Sequence, residues 1–407
     1  MAGIRDYLVW RGDLSFEVSP FNEVDSLILT EITYMEYAGV VQSDWNHPIA
    51  LNQAAEACFC LRPRREDALG MLIPDEIQDL LLEAAHTPRF QDVQLSGYVQ
   101  QLDEEKEMQF AALTFDITDS LRYVVFRGTD DSIVGWKEDC NMGFRFPVPS
   151  QEEALRYLRQ AAMNRPESLL LVGGHSKGGN LAMFAASQIE DEICSRIRTV
   201  YNHDGPGFPT AEIASDIYQK LNGKLETTVP EESIVGQLME SKGSARFVKS
   251  NASGLWQHNG LSWQVKGTAF EVFSEEPSIL TINRKTLHGW LRSMPLPRRE
   301  EMVEHLFALR RNTSASTLLE LFNSPLQTLS AIWESYDKET REALFSSLRL
   351  LLKNEHSALR EVIRDETESF QQTIKENVRE TLNHLWEKYI ETPDSPSLNP
   401  KKKQKEN

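Results

Sequence analysis

Ser168-Leu-Leu-Leu-Val172-Gly173-Gly174-His175-Ser176-Lys177-Gly178-Gly179-Asn180 is the stretch on which the fold turns. The short apolar run Ser168–Val172, closed by two glycines, predicts a buried strand. The small-residue stretch from about Gly178 to Glu190 predicts a helix. Between them, Ser176 has a glycine two positions before it and another two positions after it. A chain that passes from strand to helix in so few residues drives the serine backbone toward a strained conformation. Glycine lets the two elements approach without a Cβ collision. A serine held this way stands exposed at the sheet edge. The first amides of the helix beside it offer positive potential to a developing oxyanion. The pentapeptide alone is common by chance, so the strand–turn–helix setting carries the reading.

Working outward, Glu152–Asn164 has helical periodicity and Arg198–Asn202 is a further apolar strand before a Gly/Pro turn. The order helix, strand, helix, strand predicts a parallel α/β sheet. Ahead of it, Val93–Gln101, Met108–Thr118 and Leu121–Phe126 alternate or run apolar, separated by turn residues, and predict an antiparallel meander. Asn22 with Asp25 three residues on predicts a helix start, followed by Leu27, Ile28, Ile32 and Met35 on one face. Residues 75–86 predict another helix. From about Trp290 helical periodicity replaces strand signals. The expected division is a domain over 1–290, a helical subdomain over 291–353, a long amphipathic helix over 354–392 and a disordered Lys-rich tail over 393–407. The apolar stripe from Leu359 to Leu385 must be buried, either on 291–353 or against another chain, so 354–392 is a candidate surface for self-association or a protein partner.

A serine at such a turn needs a base, an acid and oxyanion donors. His258, in Leu255-Trp-Gln-His258-Asn-Gly260-Leu-Ser-Trp263, lies in a late loop flanked by aromatic residues and glycine, where an imidazole can be partly desolvated yet turn between serine and carboxylate. His175 is locked in the turn and is expected to point away from the serine's exposed face. Asp204, in Tyr201-Asn-His-Asp204-Gly-Pro-Gly-Phe208, follows the next strand and falls at the same sheet edge. Glu231 and Glu232 are the alternative acids. The expected oxyanion donors are the backbone N–H of Lys177 and that of Thr129, with the Thr129 hydroxyl beside it, at the end of Tyr123-Val-Val-Phe-Arg-Gly-Thr129. The order Ser176, Asp204, His258 is that of the α/β-hydrolases.

These motifs resemble class 3 (fungal-type) lipases. The resemblance is carried by Phe126-Arg-Gly-Thr129 followed by Trp136-Lys-Glu-Asp139, by Gly174-His-Ser-Lys-Gly-Gly179, and by His258-Asn-Gly with Trp263. It is nearer still to a bacterial branch of lipase-like proteins, on Phe21-Asn-Glu-Val-Asp25, Asp204-Gly-Pro-Gly-Phe208 and Val229-Pro-Glu-Glu-Ser-Ile-Val-Gly236. It covers about residues 1–290 and implies an α/β-hydrolase fold with a mostly parallel sheet. The implied activity is cleavage of an acyl ester, small or lipid. Two departures stand out. The class 3 acid precedes a Val-Pro pair, where this chain has Thr227 and Thr228 before Val229-Pro230. Asp204-Gly-Pro-Gly-Phe208 instead resembles the acid segment of pancreatic-type lipases. Lys177 also stands where lipases carry an apolar residue, which weighs against a bulk-lipid substrate.

Composition narrows the function classes. Among 407 residues, 43 basic against 61 acidic side chains leave a net charge of −18, which argues against broad contact with nucleic acid or anionic lipid. No apolar run approaches the ~20 residues of a membrane-spanning helix, and Met1–Phe21 lacks a signal peptide's apolar core. The four cysteines are too sparse for a zinc site and read as reduced thiols, so the expected location is cytoplasmic and no metal or cofactor is called for. The expectation is a serine hydrolase. The competing class is a catalytically silent scaffold that recruits a partner through its C-terminal helix. A peptidase or thioesterase would use the same three residues.

Overall fold

The computed structural model describes residues 1–65, 69, 73–277, 280 and 296–308, within the first of two units, Met1–Phe322 and Asn323–Asn407. The chain opens with helices α1 (Ile4–Arg11) and α2 (Glu23–Glu31), the short strand β1 (Ile49–Ala50), and helices α3 (Leu51–Leu61) and α4 (Glu76–Ala85). A meander follows: β2 (Gln94–Asp103), β3 (Met108–Thr118) and β4 (Leu121–Phe126). Then α5 (Ile133–Asn141) and α6 (Pro149–Asn164) lead to β5 (Leu169–His175), α7 (Lys177–Gln188), α8 (Asp191–Arg196) and β6 (Ile197–His203). The sheet is completed through α9 (Ala211–Lys220), β7 (Leu225–Pro230) and β8 (Ala245–Val248). A small hairpin, β9 (Val265–Lys266) with β10 (Ala269–Phe270), and helix α10 (Leu296–Ala308) close the described chain.

The eight strands β1 to β8 lie side by side in chain order. β1 to β4 pair antiparallel and β4 to β8 pair parallel. This is the mostly parallel α/β sheet with an antiparallel N-terminal edge that the sequence predicts. Its order has a physical consequence. Each parallel strand is added on the same side of the last, so right-handed crossovers put α6, α7 and α9 on one face. Leu158, Leu181, Ala185 and Ile217 from these helices bury against Val124, Val172 and Val200 of the sheet. The other face would lie bare if the N-terminal helices did not cover it. Val24, Leu27, Ile28, Leu80 and Leu81 pack there on Phe115, Tyr123 and Leu171, with Trp263 and Phe270 beside them.

The N-terminal layer is fastened by charge as well as by apolar contact. Asn22 caps α2 through Val24 N (2.9 Å), and Asp25 Oδ2 accepts from Asn22 N (2.9 Å), which is the helix start read from sequence. The same Asp25 is fully buried against Arg89, with Oδ1 2.7 Å from Nε. Arg89 also donates to the carbonyls of Leu14 (2.9 Å) and Ser19 (3.0 Å), so the charge is matched on all sides.

Several elements of the structure lie outside the sequence-based expectations. β7 and β8 are short strands at the far edge, and α1, α3, α5 and α9 are short helices. α10 falls in the expected helical subdomain, yet it packs on α5, with Lys137 Nζ 2.8 Å from Glu304 and Arg299 donating to Gly143 O (2.8 Å). The remaining expectations for 291–353, the helix over 354–392 and the tail over 393–407 lie outside the described residues. Among the described residues no helix is long and apolar enough to cross a membrane.

Candidate active site

β5 ends at His175 and α7 begins at Lys177, so Ser176 alone makes the turn. Its φ is 59° and its ψ −134°, a conformation that side chains other than glycine rarely adopt. Its own amide donates to His203 O (3.0 Å), which fixes the turn to the end of β6. The flanking glycines are demanded by contact rather than by backbone angle. A Cβ on Gly178 would lie 2.0 Å from Phe126 O, and one on Gly174 would lie 2.3 Å from the Gly178 backbone. Gly128, in the loop after β4, is equally constrained: its Cβ would meet Tyr34 Oη at 2.3 Å and Ser176 Cβ at 3.0 Å. The loop Arg127–Thr129 therefore comes against the serine.

Asp204 follows β6, also at positive φ (52°), and is wholly buried. Its amide donates to Thr228 O (2.8 Å), tying it to β7. Oδ2 lies 2.7 Å from His258 Nδ1, and Oδ1 accepts from Ser233 Oγ (2.5 Å). Ser233 Oγ in turn accepts from Gly236 N (3.0 Å), and a Cβ on Gly236 would lie 2.2 Å from Asp204 Oδ1. The Ser233-Ile-Val-Gly236 segment is thus a clamp on the carboxylate. Burial pushes the Asp204 carboxyl up, while the His258 ring, the Ser233 hydroxyl and the Gly236 amide pull it back. The sequence marks this segment without revealing its task; the signal is Ser-x-x-Gly directly after the pair Glu231-Glu232.

His258 ends a 3-10 turn, Gly254–His258, with its side chain partly exposed. Glu232 holds this turn by accepting from Gly254 N and Gln257 Nε2. The buried Trp263 donates Nε1–H to Gln257 O (2.8 Å). The structure therefore gives Glu232 to the loop backbone and Asp204 to the imidazole. Neither Glu231 nor Glu232 hydrogen-bonds the His258 ring among the described residues. Nor does a hydrogen bond join Ser176 Oγ to His258 there. Contacts of this kind are commonly loose until a substrate is bound.

Two expectations about the oxyanion side change on inspection. The Thr129 hydroxyl donates to Asp139 Oδ2 (2.6 Å), so its hydrogen is already committed. Burial pushes the Asp139 carboxyl up to about 6, against the pull of Lys177 and Thr129. Lys177 is 1% exposed and points under the turn. Its Nζ donates to Gln109 O (2.8 Å), Gln109 Oε1 (2.6 Å) and Glu138 Oε2 (3.1 Å). Glu138 is itself buried and accepts from the amides of Gln109 (3.0 Å) and Ser150 (2.9 Å). The lysine side chain is buried on Gln109 and Glu138, so its identity says nothing against a lipid substrate. Its backbone N–H, first in α7, has no acceptor within its own helix.

The other histidines near the site play different parts. His203 Nε2 is 2.8 Å from Ser26 Oγ, and burial pushes the ring down to about 3, which keeps it neutral. His175, expected to face away, packs its ring on that of His258 with centroids 4.4 Å apart. Behind it lies Glu31, buried 3.8 Å from His175 Nδ1 with Oε1 unpaired, its carboxyl pushed up to about 8 by burial.

A family model described as Mbeg1-like matches residues 84–308. No curated protein matches the chain. Among solved structures, a fungal lipase–inhibitor complex is 22% identical over 39% of this chain and 67% of its own, with a TM-score of 0.32. The native Rhizomucor miehei lipase propeptide complex is 16% identical over 64% of this chain and 76% of its own, with a TM-score of 0.36. Lipase II from Rhizopus niveus is 17% identical over 63% and 92%, with a TM-score of 0.33.

Proposed function

The chain belongs to the Mbeg1-like family, and within that family we propose that it is a serine hydrolase that cleaves acyl esters. The observation that carries this reading is the pairing of a buried carboxylate, Asp204, with His258 Nδ1 at 2.7 Å beside a serine held at φ 59° on a strand-to-helix turn. Ser176 Oγ attacks the ester carbonyl as His258 Nε2 takes its proton. The tetrahedral oxyanion sits against the backbone N–H groups of Thr129 and Lys177. With its hydroxyl held by Asp139, Thr129 contributes through its backbone, and the Asp139 contact keeps that backbone in place. His258 then returns the proton to the leaving alcohol, and water, activated by the same imidazole, releases the acid. Asp204 keeps Nδ1–H directed at itself and stabilises the imidazolium. The Ser176–His258 contact closes when substrate enters, by a small turn of a ring anchored on one side only.

Hydrolysis of p-nitrophenyl esters of graded chain length tests the proposal. Ser176→Ala and His258→Ala should each lower kcat/KM by about 1,000-fold or more. Equal turnover by Ser176→Ala would end the nucleophilic-serine reading. The chain-length profile reports whether the acyl site takes short or lipid-like chains.

A further inference from the structure

The residue before the nucleophile is engaged from three sides. His175 Nε2 lies 2.7 Å from the backbone carbonyl oxygen of His258. A carbonyl only accepts, so Nε2 carries the proton and Nδ1 must be the acceptor nitrogen of a neutral ring. The donor that meets Nδ1 is Tyr34 Oη at 3.2 Å. The ring face lies against the His258 ring, with centroids 4.4 Å apart and planes 32° from parallel. All of this is buried, whereas the His258 side chain is 26% exposed.

We propose that His175 is a positioning residue for His258. It fixes the histidine loop by its Nε2–H···O=C bond, braces one face of the imidazole, and has its tautomer set by Tyr34. This deepens the serine-hydrolase reading and rests on it. Asp204 restrains the His258 ring at Nδ1 only, and a single hydrogen bond leaves the ring free to swing about that contact. The carbonyl bond from His175 holds the backbone from which the side chain springs. The stacked ring limits the swing to a path toward Ser176. Because His175 immediately precedes Ser176, one rigid turn places the nucleophile and registers the base. Tyr34 also abuts Gly128, so the oxyanion loop shares the same reference point. Burial and the neighbouring His258 push the His175 ring well below its ordinary value. It therefore adds no positive charge beside an imidazole that must itself become cationic.

The test is the reaction of the full chain with a fluorophosphonate, resolved into a maximal inactivation rate and an apparent binding constant, with thermal midpoints measured alongside. His175→Phe keeps the ring face and loses both hydrogen bonds. It should slow the maximal rate about 100-fold, the scale of a misplacement near 1 Å, and change the binding constant less than about threefold. His175→Gln restores an N–H donor near the same place and should recover about tenfold of that loss. Tyr34→Phe leaves His175 in place without its tautomer lock and should slow the rate about tenfold. It decides the matter if His175→Phe does not fold. A folded His175→Phe that reacts at the wild-type rate, or a lower midpoint with no change in rate, would overturn the positioning role. So would Tyr34→Phe at the wild-type rate where His175→Phe is not obtained. Wild-type protein whose Ser176 does not react would remove the hydrolase reading itself, and this inference with it.

Discussion

The chain holds Ser176 and His258 by different means. The serine sits between a buried strand and a buried helix, and its position is set by backbone packing. Gly174, Gly178 and Gly128 admit no Cβ, and Lys177 pins the turn from below through Gln109 and Glu138. The histidine sits in a half-exposed 3-10 turn, and its position is set by hydrogen bonds accepted by the Asp204 and Glu232 carboxylates and donated by the Trp263 and His175 rings. The lesson is one of failure modes. Steric packing fails all at once, as lost stability. A set of hydrogen bonds fails one member at a time, as lost rate.

Asp204→Asn should sharpen this contrast most. The fold keeps its packing, but the imidazole loses its tautomer, and the inactivation or hydrolysis rate should fall about 10,000-fold with a nearly unchanged melting point. Gly178→Ala should show the opposite. Its Cβ would press on Phe126 O, a backbone atom that cannot move aside, and denaturant unfolding should record a loss of about 3 kcal/mol or more.

Glu31 tests the buried ground behind both walls. Its folded-state carboxyl titrates at about 8, above an ordinary value of 4.5, so the native state holds the proton more tightly than the unfolded chain. Stability is therefore fully present below pH 4.5 and declines as pH rises toward 8, by roughly a few kcal/mol. Unfolding midpoints from pH 5 to 8.5 should fall more steeply for the wild type than for Glu31→Gln. Parallel slopes would show that Glu31 is ionised at no cost. The smallest effect belongs to Glu232→Ala. It frees one end of the histidine turn while Asp204 and His175 keep their grip, and should slow reaction about tenfold with little change in stability.

The parts of this arrangement that sequence makes legible are those set by local pattern. The turn at Ser176, the strands Met108–Thr118 and Leu121–Phe126, and the capping pair Asn22 and Asp25 each announce themselves within a few residues. Asp204 was readable from its place after a strand, and its carboxylate meets the His258 ring. β7 and β8 were not readable. Leu-Glu-Thr-Thr-Val-Pro, next to the sheet edge, and Ala-Arg-Phe-Val, at it, are short strands with mixed exposure and no period to follow. The partners of the site were hidden for another reason. Tyr34 and His175 are 141 residues apart, Ser233 and Asp204 are 29 apart, and nothing in either neighbourhood encodes the meeting. Lys177 reads as a charge where lipases carry an apolar residue, but its long stem takes the ammonium to the buried Glu138 carboxylate, a partner 39 residues away in sequence.

Under the proposed function, Ser176 is a nucleophile activated by a buried carboxylate–histidine pair. Peptide mass mapping of the full chain after treatment with a fluorophosphonate tests it most directly. The expected result is one adduct, on the peptide that bears Ser176, abolished in Ser176→Ala and strongly slowed in His258→Ala and Asp204→Asn. Wild-type protein that stays unmodified at Ser176, or an adduct that persists unchanged in Ser176→Ala, would contradict it.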